Sequence, residues 1–253
     1  MPGTPYVQAL ALGIDPAWRR GPAEHRRADI AAFGECLEGV AGVTTRCYSA
    51  LGRRPGTDLF LWRLASTLDA LEEAAAVALE SGLGRWCSVA ESFLGVLMPS
   101  PYGRRADPDA PPPLFSGEPR SHLIVYPFTK TTDWWLLDDA TRRRVMGEHI
   151  AVGRSHGDVR QLLANSFGVG DHDFLVAYET DDVAGFSTLV RDLRSTQGRR
   201  WVARDTPILV GRLRSARDLE RLLMGALKPA AETAREPSWP ASVPLPAGRG
   251  VAG

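Results

Sequence analysis

The chain has 253 residues, and its 30 lysines and arginines balance its 30 aspartates and glutamates, so the formal net charge is zero. This length suits one large domain or two small ones, and the charge gives no reason to expect nucleic acid or a membrane surface as partner. Cys36, Cys47 and Cys87 are widely spaced and odd in number, which fits a reducing compartment better than a disulfide framework. No apolar run approaches the roughly 18 residues of a membrane span. The N-terminus has no basic segment before its apolar stretch, so we expect a cytoplasmic protein without a secretory signal.

Hydrophobic periodicity predicts the same order of elements, βαββαβ, in both halves of the chain. In the first half we expect strands at 6–14, 43–51, 58–64 and 86–97, with helices at 24–37 and 67–83. In the second half we expect strands at 121–130, 159–168, 173–180 and 205–213, with helices at 139–155 and 182–196; a short helix at 216–227 follows. This repetition predicts an α+β chain of two ferredoxin-like modules with their sheets joined side by side, the dimeric α/β-barrel arrangement.

Two segments interrupt this pattern. Residues 99–120 are dense in proline and lack periodicity, which predicts a connecting loop. Residues 228–253 are rich in Pro, Ala and Ser with few apolar side chains to bury, which predicts a disordered tail. We therefore expect an N-terminal module at 1–98 and a C-terminal module at 121–227.

Polar side chains stand among apolar ones in three successive elements of the second half. Tyr126 and Lys130 share one face of the predicted strand, and His149 lies within the apolar stripe of the helix. Gln161 alternates with apolar residues in the next strand. Each feature has an ordinary explanation, because most such histidines are core residues and most Tyr–Lys pairs are packing. Their combination suggests a pocket.

Five segments carry a resemblance to a known family: YPFTKTTDWWLL, MGEHIAVGR, DVRQLLANSFG, DFLVAYETDD and LVRDLR. In this order and spacing they resemble the chlorite dismutase superfamily of haem proteins, and within it the coproheme decarboxylases, which are hydrogen-peroxide-dependent haem synthases. The resemblance is strongest over 121–211 and weaker over 5–97. It implies that the second module binds iron porphyrin, with Fe-coproporphyrin III (coproheme) as substrate and haem b as product. It also implies a homopentamer.

The resemblance implies that His149, in EHIAVGR, is the proximal ligand of the haem iron. The other ring nitrogen of such a histidine is normally tuned by an acceptor. Related chlorite-degrading enzymes have a glutamate near the position of Gly198, where this chain has Gln197 and Gly198. We therefore expect a weakly held, less anionic imidazole.

On the distal side, Gln161 stands where chlorite dismutases have an arginine. Without that guanidinium we expect poor chlorite decomposition, and a glutamine is the pattern of one decarboxylase subgroup. A slip of one residue in register would place Arg160 there but would turn apolar neighbours outward, so we prefer Gln161. Actinobacterial decarboxylases carry a distal histidine whose matching place is near Asp109. No histidine lies in that loop, which leaves His122 as a spare candidate for the base that peroxide activation needs.

The remaining roles implied by the resemblance belong to Tyr126, Lys130 and Arg194. In the family, peroxide oxidises the ferric coproheme, the tyrosine becomes a radical, and it takes hydrogen from a propionate. Loss of carbon dioxide then leaves a vinyl group, and two propionates react in turn. Lys130 would hold the carboxylate or pass a proton, and Arg194 would hold a propionate.

Three alternatives remain open from the sequence. The first is a haem enzyme of the same fold with altered chemistry, such as chlorite decomposition. The second is a haem-binding protein without turnover, which the missing distal histidine allows. The third is a non-haem metal site built from His149 and His156, for which no third ligand with suitable spacing is visible.

Overall fold

The computed structural model describes residues 5–98 and 118–225. The predicted tail and nearly all of the predicted connecting loop, including Asp109, lie outside these ranges. The boundaries of the two predicted modules therefore stay predictions.

The first half forms the six elements expected from the sequence. The strands are β1 (Tyr6–Ile14), β2 (Val43–Arg54), β3 (Thr57–Ala65) and β4 (Cys87–Val96), and the helices are α1 (Ala23–Glu38) and α2 (Leu68–Glu80). The Thr67 hydroxyl caps α2 by accepting a hydrogen bond from the Ala70 N–H at 3.2 Å. This bond satisfies one of the backbone donors left free at a helix start. A short 3-10 turn, Gly82–Trp86, replaces the predicted last turn of α2.

The second half contains two elements that the sequence pattern did not predict. It consists of β5 (His122–Lys130), α3 (Thr132–Leu136), α4 (Asp139–Arg154), β6 (Arg160–Asn165), β7 (Phe174–Thr180), α5 (Val183–Arg194), β8 (Val202–Arg204), β9 (Leu209–Leu213) and α6 (Ala216–Leu223). The prediction missed α3, a helix of five residues that is too short for a periodicity. It also missed the three-residue strand β8, and it began the last strand at residue 205, four residues before β9, although Pro207 has no N–H to donate to a ladder.

Eight antiparallel strands close into a barrel in the order β7-β6-β4-β1-β3-β2-β9-β5, and β5 pairs again with β7. Within each half the strands lie in the order fourth, first, third, second, if β9 is counted as the fourth strand of the second half. The halves are joined where Tyr48 of β2 pairs with Leu213 of β9, and where Val96 of β4 pairs with Asn165 of β6. The predicted side-by-side joining of the sheets is thus present in the strand pairing.

The pairing of β5 is irregular at its proline, as the sequence predicted. On one side, β5 pairs with β9 as far as Val125 and with β8 from Thr129 onward. Pro127 falls between these two partners, where its missing donor interrupts no ladder.

Alternation along the strands separates the barrel interior from its outer face. The interior is filled by a single apolar cluster that includes Tyr48, Phe60, Trp62, Val125 and Ala164. The helices cover the outer face, where each half has its own cluster. Across the described residues, none of the helices is long and apolar enough to cross a membrane.

Candidate functional site

A cavity of about 390 Å³ lies between helices α4 and α5 and the outer face of β6 and β7. Its walls combine apolar side chains with a small set of polar groups, as ligand sites do. The lining residues at the centre of the site are His149, Gly153, Gln161, Tyr178, Leu189 and Leu193. Two of the side chains selected from the sequence, His149 and Gln161, therefore meet at one cavity.

His149 is a half-buried histidine on α4, five residues before the helix ends. Burial lowers its pKa, the nearby Lys130 ammonium lowers it further, and the Glu148 carboxylate opposes both. Loss of hydration disfavours the charged imidazolium. At neutral pH the ring is therefore neutral and has a lone pair available for a metal ion.

Gly198 lies beside the imidazole of His149. A Cβ atom built on Gly198 would lie 3.8 Å from the His149 Nδ1 atom, so Gly198 is adjacent to the ring but offers it no side chain. Instead, Glu148 accepts a hydrogen bond from the Gln197 N–H at 3.0 Å. This bond ties the turn Gln197–Trp201 to α4 beside the imidazole.

The register of β6 separates Gln161 from Arg160. Gln161 pairs with Tyr178 and lines the cavity, whereas Arg160 pairs with Glu179 and points the other way. The Arg160 guanidinium lies 3.6 Å from the Glu179 carboxylate, which is fully buried and also bound by Arg46 at 2.6 Å. The strand thus presents an amide and no guanidinium to the cavity at this position.

Tyr126 lies beside the cavity, against one of its lining residues. Its ring stacks on Tyr178 with centroids 6.0 Å apart and planes inclined by 26°. Burial raises the pKa of Tyr126, the neighbouring hydroxyl of Tyr178 lowers it, and the Asp205 carboxylate raises it again. Its phenol is therefore protonated at neutral pH.

Lys130 follows Tyr126 by four residues on the same face of β5, and its amine packs against aromatic rings. Its Nζ atom lies 4.2 Å from the Trp134 ring centroid and 5.2 Å from that of Phe128, a favourable arrangement for a cation. Burial lowers the pKa of Lys130 to about 8, against the opposing charge of Asp173. The amine is therefore close to its titration point at neutral pH and can hold or pass a proton.

Lys130, like Tyr126, is not among the residues that line the cavity, and the predicted side chains Arg194 and His122 also lie outside the lining. Arg194 ends α5, is 49% exposed and pairs with Asp205 at 3.4 Å, although its charge acts on Tyr126. His122 shares the Tyr126 face of β5, and its pKa is lowered first by burial and then by the charges of Arg212 and Arg53.

A larger depression of about 690 Å³ opens on the first half, near Gly13 and Trp86. Its central polar groups already bind each other, because Asp58 pairs with Arg19 at 3.2 Å and accepts the Ile14 N–H at 2.8 Å. Such internally satisfied groups leave little for a ligand. We therefore place the candidate site at the smaller cavity.

The residues that the structure describes contain no cluster of three or more His, Cys, Asp or Glu side chains placed to hold a metal ion. His149 and His156 both line the cavity, but His156 pairs with Asp192 at 3.2 Å. A non-haem site of the kind left open by the sequence therefore lacks its third ligand within the described ranges.

Comparison with known proteins identifies the family. The chlorite dismutase family profile matches residues 26–214. A coproheme decarboxylase of Mycolicibacterium smegmatis is 30% identical over 211 residues, which cover 81% of this chain and 88% of that protein. The chain belongs to the chlorite dismutase family.

Solved structures show the same fold. The chlorite dismutase of Candidatus Nitrospira defluvii in complex with imidazole has a TM-score of 0.78 and 24% identity, with 88% of this chain and 96% of that chain covered. A putative chlorite dismutase has a TM-score of 0.72 and 27% identity, with 87% and 99% covered. The family and the related decarboxylase support a haem-related enzyme.

Tyr178 is the site residue that the sequence reasoning missed. It lies in the segment DFLVAYETDD, whose other members are mostly barrel residues. The available signal was its alternation with Val176 and Phe174 on β7, which places a phenol on the helix-covered face. That signal becomes informative only when the same face is known to border a cavity.

Proposed function

We propose that the protein is a hydrogen-peroxide-dependent coproheme decarboxylase, which converts two propionates of Fe-coproporphyrin III to vinyl groups and yields haem b. One observation carries the proposal: a neutral, half-buried His149 faces a cavity whose opposite wall bears Gln161, with the Tyr126–Tyr178 pair alongside. The related decarboxylase of Mycolicibacterium smegmatis supports the same reaction.

The residues present fit an iron porphyrin. A neutral imidazole is a common axial ligand of haem iron, and apolar side chains such as Leu189 and Leu193 suit the faces of a macrocycle. Gly198 leaves His149 without an acidic acceptor, so the imidazole stays neutral when it binds. We assign His149 as the axial ligand. Iron coproporphyrin is the substrate, and its iron supplies the redox chemistry with peroxide.

The reaction balances with one peroxide for each propionate. Each step consumes one –CH2CH2COO⁻ group, one hydrogen peroxide and one proton, and it releases a vinyl group, one carbon dioxide and two waters. Two electrons and the β-hydrogen leave the propionate, and the peroxide O–O bond accepts the electrons. Two such steps give haem b.

We assign Tyr126 as the group that takes the β-hydrogen, as a tyrosyl radical. Its phenol is protonated at neutral pH, and its ring is partly buried against the cavity residue Tyr178. A phenol in such a site can give up a proton and an electron together and later recover them. Gln161 has an amide that can hydrogen-bond peroxide or water but cannot act as a base, so it positions the oxidant.

Lys130 and Arg194 are assigned to the carboxylates. The Lys130 amine, with a pKa of about 8, donates to a carboxylate in its charged form and can pass a proton. Arg194 sits where its charge already reaches Tyr126. It would exchange its exposed bond to Asp205 for a propionate.

A second candidate is a haem-binding protein without turnover. It is favoured by Gln161, the polar side chain that β6 presents to the cavity. An amide is neither a base nor a guanidinium, and those are the groups that would promote peroxide or chlorite chemistry. A chlorite-decomposing enzyme is disfavoured by the same observation.

The test is to titrate purified protein with ferric coproheme, add peroxide stepwise and follow porphyrin mass. Two successive losses of a carboxyl group are expected. Tyr126→Phe should bind coproheme with unchanged affinity and stop the conversion, and full turnover by that variant refutes the tyrosine assignment. His149→Ala should change the absorption spectrum of the bound porphyrin. Binding followed only by bleaching would establish the second candidate instead.

The compartment, the oligomeric state and the fold of each half belong to the same proposal. We expect the protein to act in the cytosol as a homopentamer. The repeated strand order of the two halves supports the interpretation of each as a ferredoxin-like module.

A further inference from the structure

The ammonium group of Lys130 is held against aromatic rings instead of a carboxylate. Its Nζ atom lies 4.2 Å from the centroid of the Trp134 ring and 5.2 Å from that of Phe128. At such distances the face of an aromatic ring attracts a cation, and tryptophan gives the strongest attraction. Among the residues that the structure describes, no Asp or Glu side chain forms an ion pair with Lys130. Aromatic faces thus take the place of a counter-ion.

Trp134 is fixed through both its backbone and its side chain. It belongs to α3, the short helix that follows β5, and is only 2% exposed. Its backbone N–H donates to the Thr131 carbonyl at 3.1 Å, and the Thr131 N–H donates to the Trp201 carbonyl at 3.0 Å. The Trp134 and Trp201 rings pack with their centroids 6.4 Å apart. The ring that contacts Lys130 therefore has a defined place.

The main chain of Lys130 is fixed as well. Its N–H donates to the Asp173 carboxylate at 2.7 Å, and its position on β5 pairs with Val202 of β8. The nearest carboxylate thus binds the backbone of Lys130 and leaves its side chain to the rings. Only the orientation of that side chain remains to be determined, and the aromatic contact supplies it.

We propose that Trp134 is a positioning residue for Lys130: its indole ring, together with the Phe128 ring, holds the ammonium group in place for a carboxylate of the substrate. The importance of this placement rests on the proposed function, but the contact between ammonium and ring does not. A lysine side chain loses rotamer freedom when it binds a ligand, so a ring that already holds the amine reduces the cost of binding.

An aromatic ring suits this role better than an acidic residue would. The ring attracts the cation without neutralising its charge. An Asp or Glu in the same place would occupy the ammonium group and repel an incoming carboxylate. The arrangement therefore keeps the positive charge of Lys130 for an anionic substrate group, as the propionates of coproheme are.

NMR of the lysine side chains tests the contact without porphyrin. The chain contains only two lysines, Lys130 and Lys228, so protein labelled with carbon-13 at lysine Cε gives two lysine signals. The variant Lys130→Arg assigns them by the loss of one. Protons above the face of an aromatic ring are shielded, so we expect the Hε protons of Lys130 to lie upfield of their position in the urea-unfolded protein. A Lys130 signal at the unfolded position in the folded parent protein overturns the proposal.

Variants of two neighbouring tryptophans identify the ring that is responsible. Trp134→Leu should remove most of the upfield shift, and Trp134→Phe, which keeps a smaller ring, should keep part of it. Trp135→Leu is the matched control, because Trp135 is the next residue of α3 but packs on Phe167 and Phe174, with centroid distances of 5.2 Å and 6.1 Å. It should leave the Lys130 signal unchanged. If Trp134→Leu fails to fold, the parent protein, Trp134→Phe and Trp135→Leu still decide the contact.

Coproheme affinity in two backgrounds measures the positioning role. Trp134→Leu should weaken binding about fivefold or more in the parent protein, which corresponds to the loss of one good contact between a cation and a tryptophan ring. In a Lys130→Met background the same substitution should have little further effect, because Trp134 then has no ammonium group to hold. Absorption titrations of the four proteins give both effects.

Equal losses of affinity in the two backgrounds would mean that Trp134 acts independently of Lys130, and the proposal would be wrong. If the parent protein binds coproheme without decarboxylating it, the proposed function fails, whereas the spectra and the affinities still decide the role of Trp134. If the parent protein does not bind coproheme, the positioning role fails together with the proposed function.

Discussion

The strands of the two halves lie in the same order, but the helices that cover their outer faces pack tightly in the first half and leave a cavity in the second. On the first half, α1, α2 and the C-terminal helix α6 form a packed layer in which large apolar side chains are fully buried, among them Trp18, Phe33 and Leu83. In the second half, Val145 is the only buried residue of α4, and a cavity remains beneath that helix and α5. The comparison teaches that the shared strand order does not by itself leave a cavity beneath the covering helices. A pocket exists where the covering helix carries Gly153 and His149 in place of large apolar groups.

The ionisable groups with shifted pKa values also differ between the two halves. The first half holds one fully buried cation on its outer face, Arg63, which donates to the Ala74 carbonyl at 3.1 Å; burial lowers its pKa to about 10. In the second half, His149 lines the cavity, and the charge of Lys130 lowers the pKa of His149 after burial has done so. Shifted pKa values at a cavity indicate chemistry, whereas the same kind of shift in a packed layer indicates structure.

The largest expected effect contrasts two leucines that are both almost fully buried. Leu83→Ala should lower the free energy of unfolding by about 4 kcal/mol, near the upper end for this substitution, because the packed first half leaves a new void. Leu189→Ala should cost about 2 kcal/mol, because Leu189 already borders a cavity. Urea unfolding of both variants measures the difference. Equal costs would contradict the proposed difference in packing.

A second prediction fills the cavity from α4. A Cβ atom at Gly153 meets no atom within 4 Å, and Gly153 lines the cavity. Gly153→Leu should therefore stabilise the helix by up to about 1 kcal/mol and weaken coproheme binding at least about tenfold. Thermal unfolding and absorption titration measure the two effects.

Gly147→Leu is the control for this substitution. Gly147 is on the same helix and its Cβ would also be unobstructed, but it is exposed and outside the cavity lining. We expect a similar stabilisation with unchanged binding. Weakened binding in the Gly147 variant would mean that the helix, and not the space at Gly153, controls access.

The smallest expected effect is a pH dependence due to Lys130. Binding a carboxylate stabilises the ammonium, so the pKa in the complex is higher than the value of about 8 in the free protein. The contribution of Lys130 to affinity is thus fully present below pH 8 and is lost as the pH rises through the pKa of the complex. Coproheme affinity should fall several-fold between about pH 7 and pH 10.

Two substitutions distinguish Lys130 from other titrating groups. Lys130→Arg should abolish the fall, because arginine stays charged over this range. Lys130→Met should bind weakly at every pH. A parent-like fall in the methionine variant would assign the titration to another residue.

Much of this molecule could be predicted from its sequence. Periodicity gave β1 with its observed bounds, and α1, α4 and α5 to within two residues, because each element buries one face and so repeats its apolar residues. The position of His149 in an apolar stripe, the side of β6 that carries Gln161 and the irregular pairing at Pro127 follow from the same local rules. Resemblance of short motifs indicated the family, which the comparisons confirmed.

The tertiary structure decided what the local pattern could not. Alternation says that Tyr126 and Tyr178 each face one side of a strand, but only the pairing of β5 with β7 makes them neighbours across 52 positions of the chain. Likewise, only barrel closure and the packing of α4 and α5 determine that the second half keeps a cavity that the first half fills. The physical reason is that local periodicity records which face is buried, whereas the partner that buries it, and the space left between them, depend on contacts between distant segments.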